Sequence, residues 1–418
     1  MKMIEMPLKT SISSILSINL IYSFRLIYLG RNKMKVDYSK YWDKIKFWKE
    51  VIENVKDFVG TSPPSVFVGR YFYPRVFLGI LSPPKHDQNA FILDSPEKWY
   101  KEKATIDQIL NYRSQMIYCR FKTNSIKPAS SKLIDIVQEL AMSKKQTDVE
   151  IELKNNPQFK FSFSNYFAPI GNPAPLKKAR LTENPKVDIK VEKIVSDTDM
   201  KAKDAVVNLY SYIPISSIQK IFSVGLLGTK LERKFVPTRW SWTAVHNIIG
   251  ENLRKDVINY EILPEIRVFH EEFIGNHFEI VLLPQNYQYE LIEAWNLNSN
   301  PTLESDYENY WGRKKYVEYT AGAWYAARVP ILQYLKDIKK QAAILLIREV
   351  RPSYEIPCGV WVIENAVRGA LEKPYETFDN IDDALKSISK RLILKIDKYI
   401  RKSVLLKNVI FQKKLHQF

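Results

Sequence analysis

Apolar residues recur at helical spacing over residues 39–58. Tyr41, Ile45, Trp48, Val51, Ile52, Val55 and Phe58 share one face and lysines hold the opposite one, which predicts an amphipathic helix. The period then shortens to two in "TSPPSVFVGRYFYPRVFLGILSPP", where paired prolines bracket two predicted strands, Ser65–Arg70 and Arg75–Ile80, joined by a turn. "DSPEKWY" has the form of a helix start, with Asp or Ser capping and an early proline. "SSKLIDIVQELAMSKK" predicts a helix and "DVEIELK" a strand. Residues 154–190 break every period and predict a long ordered loop around "PIGNPAPLKKARLTENPK".

Helical spacing resumes in "DTDMKAKDAVVNLYSY" and "ISSIQKIFSVGLL", the second ended by Gly225 and Gly228. "EIRVFHEEFIGNHFEIVLLP" predicts a hairpin, with Gly275-Asn276 supplying the positive-φ turn positions. "ARVPILQYLKDIKKQ" predicts a helix, "AAILLIREV" a buried strand, and "PCGVWVIENAVRGALEKP" a strand followed by a helix. From about Ile381 the tail predicts one or two basic amphipathic helices. Helices and short, largely antiparallel strands mix without a βαβ rhythm or an internal repeat, so the fold class is α+β.

Composition sharpens this picture in three ways. A chain of 418 residues and 49.0 kDa, 45% hydrophobic, is long and apolar enough to bury cores without disulfide or metal staples. Its two cysteines, Cys119 and Cys358, support neither a disulfide framework nor a zinc ribbon, which points to core positions in a reducing cytoplasm. With 63 Lys+Arg against 46 Asp+Glu, the net charge of +17 favours a polyanionic partner such as nucleic acid or a nucleotide. The apolar stretch "SISSILSINLIYSFRLIYLG" is interrupted by Asn19 and Arg25, whose cost in a bilayer argues against a membrane span or an export signal. Residues 1–33 are read as an extension preceding a natural start at Met34.

Candidate chemistry is sparse. No P-loop, dinucleotide fingerprint, zincin helix or nucleophile elbow occurs, no catalytic residue is assigned, and no cofactor or metal is expected. The five histidines lie outside ligand spacing, although His270 and His277 flank the predicted hairpin. Asp197 and Asp199 could hold a divalent cation with other carboxylates, but at a helix start Ser196 or Asp197 fits an N-cap better. Arg113 and Arg328 fall in apolar helices, where each needs a buried carboxylate or an anion.

Three basic clusters stand among prolines, glycines or aromatics: Lys177, Lys178 and Arg180, with Lys186 nearby; Arg239 in "FVPTRWSW"; and Arg313, Lys314 and Lys315 in "YWGRKKY". Cationic groups neutralise phosphates while exposed rings stack on unpaired bases, so these clusters are the candidate DNA or nucleotide contacts. The chain closes on "FQKKLHQF", placing Gln412, Leu415 and Phe418 three residues apart. One 3₁₀ turn would stack them as an apolar plug with an amide hook.

That ending resembles the interaction box of the sliding clamp (PCNA) in its single-aromatic form. The body resembles the archaeal Nre DNA-repair family, through "SPPSVFVGRYFYPRV", "LDSPEKWY", "ELAMSKKQTDVEIEL", "APLKKARLTENPK", "VEKIVSDTDMKA", "LLGTKLERKFVPTRWSWTAV", "YELIEAW", "GRKKY", "GAWYAARVPILQYL" and "REVRPSYEIPCGVW". The resemblance covers roughly 60–418. It implies an N-terminal family domain over 34–305, a C-terminal one over 306–403 and a flexible clamp-binding tail over 404–418. It also implies clamp-linked repair of damaged DNA, including crosslink-type lesions. The sequence shows no cysteines for the N-terminal zinc module that some members carry, and it has His246-Asn247 where an acidic pair is expected. The alternatives are an enzyme acting on nucleotides or damaged nucleic acid, which would need a deep pocket lined by Arg and Asp, and a non-catalytic adaptor.

Overall fold

The computed structural model describes residues 39–415. Helix α1 (Ser39–Glu53) buries Ile45 and Ile52 and anchors Trp48, whose Nε1 donates to Asn111 Oδ1 at 2.9 Å. It stops five residues before the expected end because Phe58 belongs to strand β1 (Asp57–Ser62), where it packs on the core of a sheet. Strands β2 (Val66–Val68) and β3 (Phe77–Ser82) form the expected antiparallel pair, with Val66 opposite Ile80. A 3₁₀ turn (Ala90–Asp94) leads into α2 (Pro96–Lys101) and α3 (Ile106–Ser114), the latter started by a Thr105–Gln108 capping box. Then come β4 (Ile117–Lys122), α4 (Lys132–Met142), β5 (Thr147–Leu153), a small pair β6 (Phe161–Ser162) and β7 (Ile170–Gly171), and β8 (Pro173–Leu181).

Sheet 1 has the order β1-β5-β8-β4-β3-β2. Its inner face presents Leu78, Ile80, Cys119, Val149, Ile151 and Leu176 to the main core, which also holds Val137 and Leu140 of α4. Strand β8 corrects the expected long loop, and the hydrogen bonds explain how two prolines enter a central strand. The carbonyls of Pro173 and Pro175 accept from Gln158 N and Lys154 N, so the missing proline N–H groups face that irregular segment. The β4 side is served instead by Tyr118 N donating to Asn172 O, and no ladder bond to β4 is lost.

Four helices follow: α5 (Ile189–Ser196), α6 (Ala202–Tyr210), α7 (Ile215–Ser223) and the 20-residue α8 (Thr238–Val257). Gly225, at φ +75, closes α7 as expected. The N-terminus of α8 is tied to sheet 1 by Val68 N donating to Thr238 Oγ1 at 3.0 Å.

Sheet 2 is assembled from β10 (Ile266–Phe273), β11 (Asn276–Leu283), β12 (Gln288–Trp295), β13 (Thr302–Glu308), β15 (Ala343–Val350) and β16 (Glu376–Phe378), ordered β13-β12-β15-β11-β10-β16. Only β12 and β15 run parallel within it, and β9 (Glu261–Ile262) pairs separately with β14 (Lys340–Gln341). The β10–β11 hairpin forms, but its left-handed turn residues are Ile274 (φ +40) and Gly275 (φ +76), with Phe273 opposite Asn276. A Cβ on Gly275 would lie 2.4 Å from Tyr354 N, so the second position requires glycine. Position 305 lies inside β13, and sheet 2 draws strands from both sides of it.

One face of sheet 2 packs on α9 (Ala321–Asp337) and α10 (Trp361–Leu371) within the main core. The expected strand before α10 does not form. Residues 354–360 instead wrap on themselves, with Tyr354 Oη accepting from Cys358 N and Trp361 Nε1 donating to Cys358 O. The other face forms a second core with α11 (Ile381–Ser389), α12 (Ile396–Lys402) and α13 (Val404–Leu415), three helices where one or two were expected. Mixed helices and mostly antiparallel sheets make the fold α+β. No helix among the described residues is long and apolar enough to cross a membrane.

Candidate nucleic-acid interface

The outer face of sheet 1 gathers charge because alternation along the strands sends every second side chain away from the core. From β8 come Lys178 and Arg180, both exposed, with Lys177 bulged out beside them; from β4 come Arg120 and Lys122. Lys177, Lys178 and Arg180 are therefore held on a rigid strand rather than a loop. They are not unopposed. Lys177 Nζ bonds Glu152, Lys178 Nζ lies 3.7 Å from the same carboxylate, and Arg180 stands across from Glu150. The Lys177 bond is also the main cause that lowers the Glu152 carboxyl below its usual range.

The β3–β4 side is different, because aromatic rings rather than carboxylates stand beside its cations. Arg120 lies 4.4 Å from the Phe77 ring centroid and Lys122 4.8 Å from that of Phe72. The β2–β3 turn lifts Tyr71 and Phe72 into solvent at 70% and 66% exposure, and Arg70 lies over Tyr71 at 5.2 Å. The residue pattern by itself predicts only a turn here. The signal was the composition of the turn itself, "RYFYPR", three rings flanked by two arginines.

From there the contacts continue across the molecule. Tyr73 meets Trp240 edge-on at 5.0 Å, and the neighbouring Arg239, in the first turn of α8, stacks 3.9 Å over Tyr166. Burial pushes the Tyr316 hydroxyl well up, and the nearby Tyr166 and Tyr325 hydroxyls push the same way, against the Arg239 charge. Tyr316 belongs to "YWGRKKY", the third basic cluster. Within the third, Arg313 serves structure: its Nη1 donates to Tyr307 O at 2.8 Å and lies 3.7 Å from Asp306. Lys314 and Lys315 are exposed, next to Trp311 at 81% exposure.

Gln412 and Leu415 lie on the last turns of α13, an α-helix rather than a 3₁₀ turn, and Phe418 lies outside the described residues. The base of α13 is firmly held. The buried Glu290 carboxylate accepts from Ser403 Oγ, Val404 N and Leu405 N at 2.6–2.8 Å, and Leu405 and Leu406 are fully buried.

The other singled-out residues are structural. Arg328 pairs with Glu251 at 2.7 Å and Glu308 at 2.9 Å, and Arg113 pairs with Asp94 at 2.7 Å. Burial would raise the Asp94 carboxyl, but Lys220 and Arg113 overcome it and hold it at about 2. Asp197 Oδ1 accepts from Asp199 N and Met200 N, closing a turn after α5 rather than capping a helix start. His246 is buried between Trp242 O and Glu364, whereas His270 and His277 each face a glutamate across the hairpin. Both cysteines are buried, and burial pushes both thiols up, that of Cys358 to about 12. Among the described residues, one surface pocket lies beside Lys144, Lys145 and Lys186, and another between Tyr41, Lys103 and Phe273. Neither joins an arginine to an aspartate.

Fold and surface thus define a two-sheet α+β protein with a basic, aromatic-studded face. Models of the archaeal Nre family match it in two blocks, the N-terminal part over residues 36–300 and the C-terminal part over 308–418. The chain is 38% identical to the DNA repair protein NreA of Archaeoglobus fulgidus over 84% of its own length and 89% of that protein. It is 34% identical to the DNA repair protein NreB of the same organism, covering 84% and 90%, and 34% identical to the NreA of Haloferax volcanii, covering 86% and 88%. The chain belongs to the archaeal Nre family. No solved structure matches it.

Proposed function

We propose that this chain is a DNA-repair protein of the cytoplasm that holds DNA along the outer face of sheet 1 and docks on the sliding clamp through Gln412, Leu415 and Phe418. The observation that carries the DNA reading is the set of cation–aromatic contacts Lys122–Phe72, Arg120–Phe77 and Arg239–Tyr166, with the ring pair Tyr73–Trp240 between them. Rings presented beside cations offer stacking faces and phosphate neutralisation together, the combination that single-stranded or locally unpaired DNA requires. Lys177, Lys178, Arg180, Lys314 and Lys315 extend the positive field around these contacts. The relatives named DNA repair proteins support the same direction.

The clamp reading is supported by the way α13 is anchored at Val404–Leu406 while its distal turns carry Gln412 and Leu415. Tethering to a ring around DNA would raise local concentration without tight DNA binding. Two experiments test these parts separately. Fluorescence anisotropy with labelled single-stranded DNA over a salt series should show Arg120→Glu with Lys122→Glu flattening the salt slope; an unchanged slope and affinity would remove the face from the proposal. Calorimetry against the clamp should lose all heat with Leu415→Ala, Phe418→Ala at an unchanged Tm. Wild-type-like binding by that variant would end the docking reading.

A further inference from the structure

The pocket beside β5 and β8 has features that the DNA face does not use. It encloses about 380 Å³ between the 3₁₀ turn Ala90–Asp94, the C-terminus of α4 and the segment after β8. That volume lies at the lower end of the range for small-molecule sites. Its walls are cross-braced. Gln146 accepts from Phe91 N at 2.8 Å and donates to Gln88 O at 2.6 Å, fixing one rim. Lys144 N donates to Lys186 O at 2.7 Å and Ser143 bridges to Val187, fixing the other.

Three lysines line this small space, Lys144, Lys145 and Lys186, against one carboxylate, Glu183. Lys144 reaches Asp188 only at 3.9 Å, and neither Lys145 nor Lys186 forms an ion pair among the described residues. This contrasts with Lys177 and Lys178, which share Glu152. Like charges gathered in one braced pocket repel, and a bound polyanion relieves that repulsion. Phe91, 45% exposed, adds an apolar ring at the mouth, and Asn184 supplies an amide.

We propose that this pocket binds a phosphorylated nucleoside, its phosphates on Lys144, Lys145 and Lys186 and its base against Phe91. The single carboxylate, Glu183, is suited to accept from a sugar hydroxyl. The same chemistry is offered by a free nucleoside diphosphate and by the 5′-phosphorylated end of a strand. Glu183 of the pocket wall follows Arg180 of β8 by three residues, so the strand end is the second source to be tested. Binding of the free nucleotide is independent of the DNA-face reading.

Calorimetry on the full chain decides the matter with ADP, pyrophosphate, and a short oligonucleotide with or without a 5′-phosphate. Lys145→Glu with Lys186→Glu should weaken ADP roughly tenfold or more, and Phe91→Ala about tenfold, both at unchanged Tm. Arg120→Glu with Lys122→Glu should leave ADP binding intact, which separates this site from the DNA face. Tighter binding of ADP than of the oligonucleotide assigns the free nucleotide. Binding of the 5′-phosphorylated oligonucleotide alone, lost in the lysine variant, assigns the strand end. The proposal is overturned if neither ADP nor the 5′-phosphate contributes to binding, or if the lysine variant binds both as the wild type does. It is also overturned if pyrophosphate matches ADP while Phe91→Ala has no effect.

Discussion

Sheet 2 carries Glu279, Glu290, Glu293, Arg348 and Glu349 at exposures of 5% or less, whereas the outer face of sheet 1 keeps Lys122, Lys178 and Arg180 in solvent. Both sheets have six strands and both bury one face in the main core. The difference lies in the second face. Helices α11–α13 close over that of sheet 2, so each of its charges needs a committed internal partner. On that face Glu279 takes Arg391 in two bonds of 2.7 and 2.9 Å; on the main-core face Glu293 takes Arg348. Glu349 accepts from Ile393 N, Leu394 N and Tyr399 Oη, so it fastens the helical cap as Glu290 does one helix later. Buried charge here is structural, and open charge on sheet 1 is available to a ligand.

The largest test of that contrast is Arg328→Met. It strands the buried Glu308, while the half-buried Glu251 keeps Arg254, and should cost about 3–5 kcal/mol of stability in urea unfolding, with DNA affinity of the folded fraction unchanged. Acid offers a second test, through Asp94. Its folded pKa of about 2 lies below the unfolded value near 3.9, so its contribution is complete above pH 4 and is lost as pH falls toward 2. The loss amounts to about 2 kcal/mol, and the pH dependence of unfolding between 4 and 2 should be shallower in Asp94→Asn.

Glu290→Ala removes the acceptor from three donors and should cost about 1–3 kcal/mol. Limited proteolysis should then cut within α13 before the rest of the chain, and Glu290→Gln should restore part of the protection. On the open sheet, Tyr71→Ala and Phe72→Ala should leave Tm unchanged while weakening single-stranded DNA by about 1–3 kcal/mol per lost stack. The smallest effect is expected for Lys177→Ala, because that ammonium is already engaged by Glu152. Its change in salt slope should fall short of the roughly 0.7 per phosphate contact on single strands, which Lys122→Ala should approach. Equal slopes for the two would break the distinction between carboxylate-paired and ring-paired cations.

Local chemistry made several features readable in the chain alone. The alternation of β2 and β3, the hairpin at Gly275, the glycine that ends α7 and the demand of Arg113 and Arg328 for buried carboxylates all follow from residue types at short range. So did the α+β class, because mixed periods without a βαβ rhythm survive folding unchanged. Tertiary structure decided what local rules could not. Pro173 and Pro175 forbid a strand by propensity, yet β8 forms because their carbonyls are used by residues 154–158 and their missing donors face away from β4. The turn of the hairpin fell on Ile274-Gly275 because pairing register, set by β10 against β11 over eight-residue strands, outweighs the strain at a β-branched position. The gathering of Arg120, Lys122, Tyr71 and Phe72 was invisible for a simpler reason. These residues lie some fifty positions apart, and only strand pairing brings them to one surface.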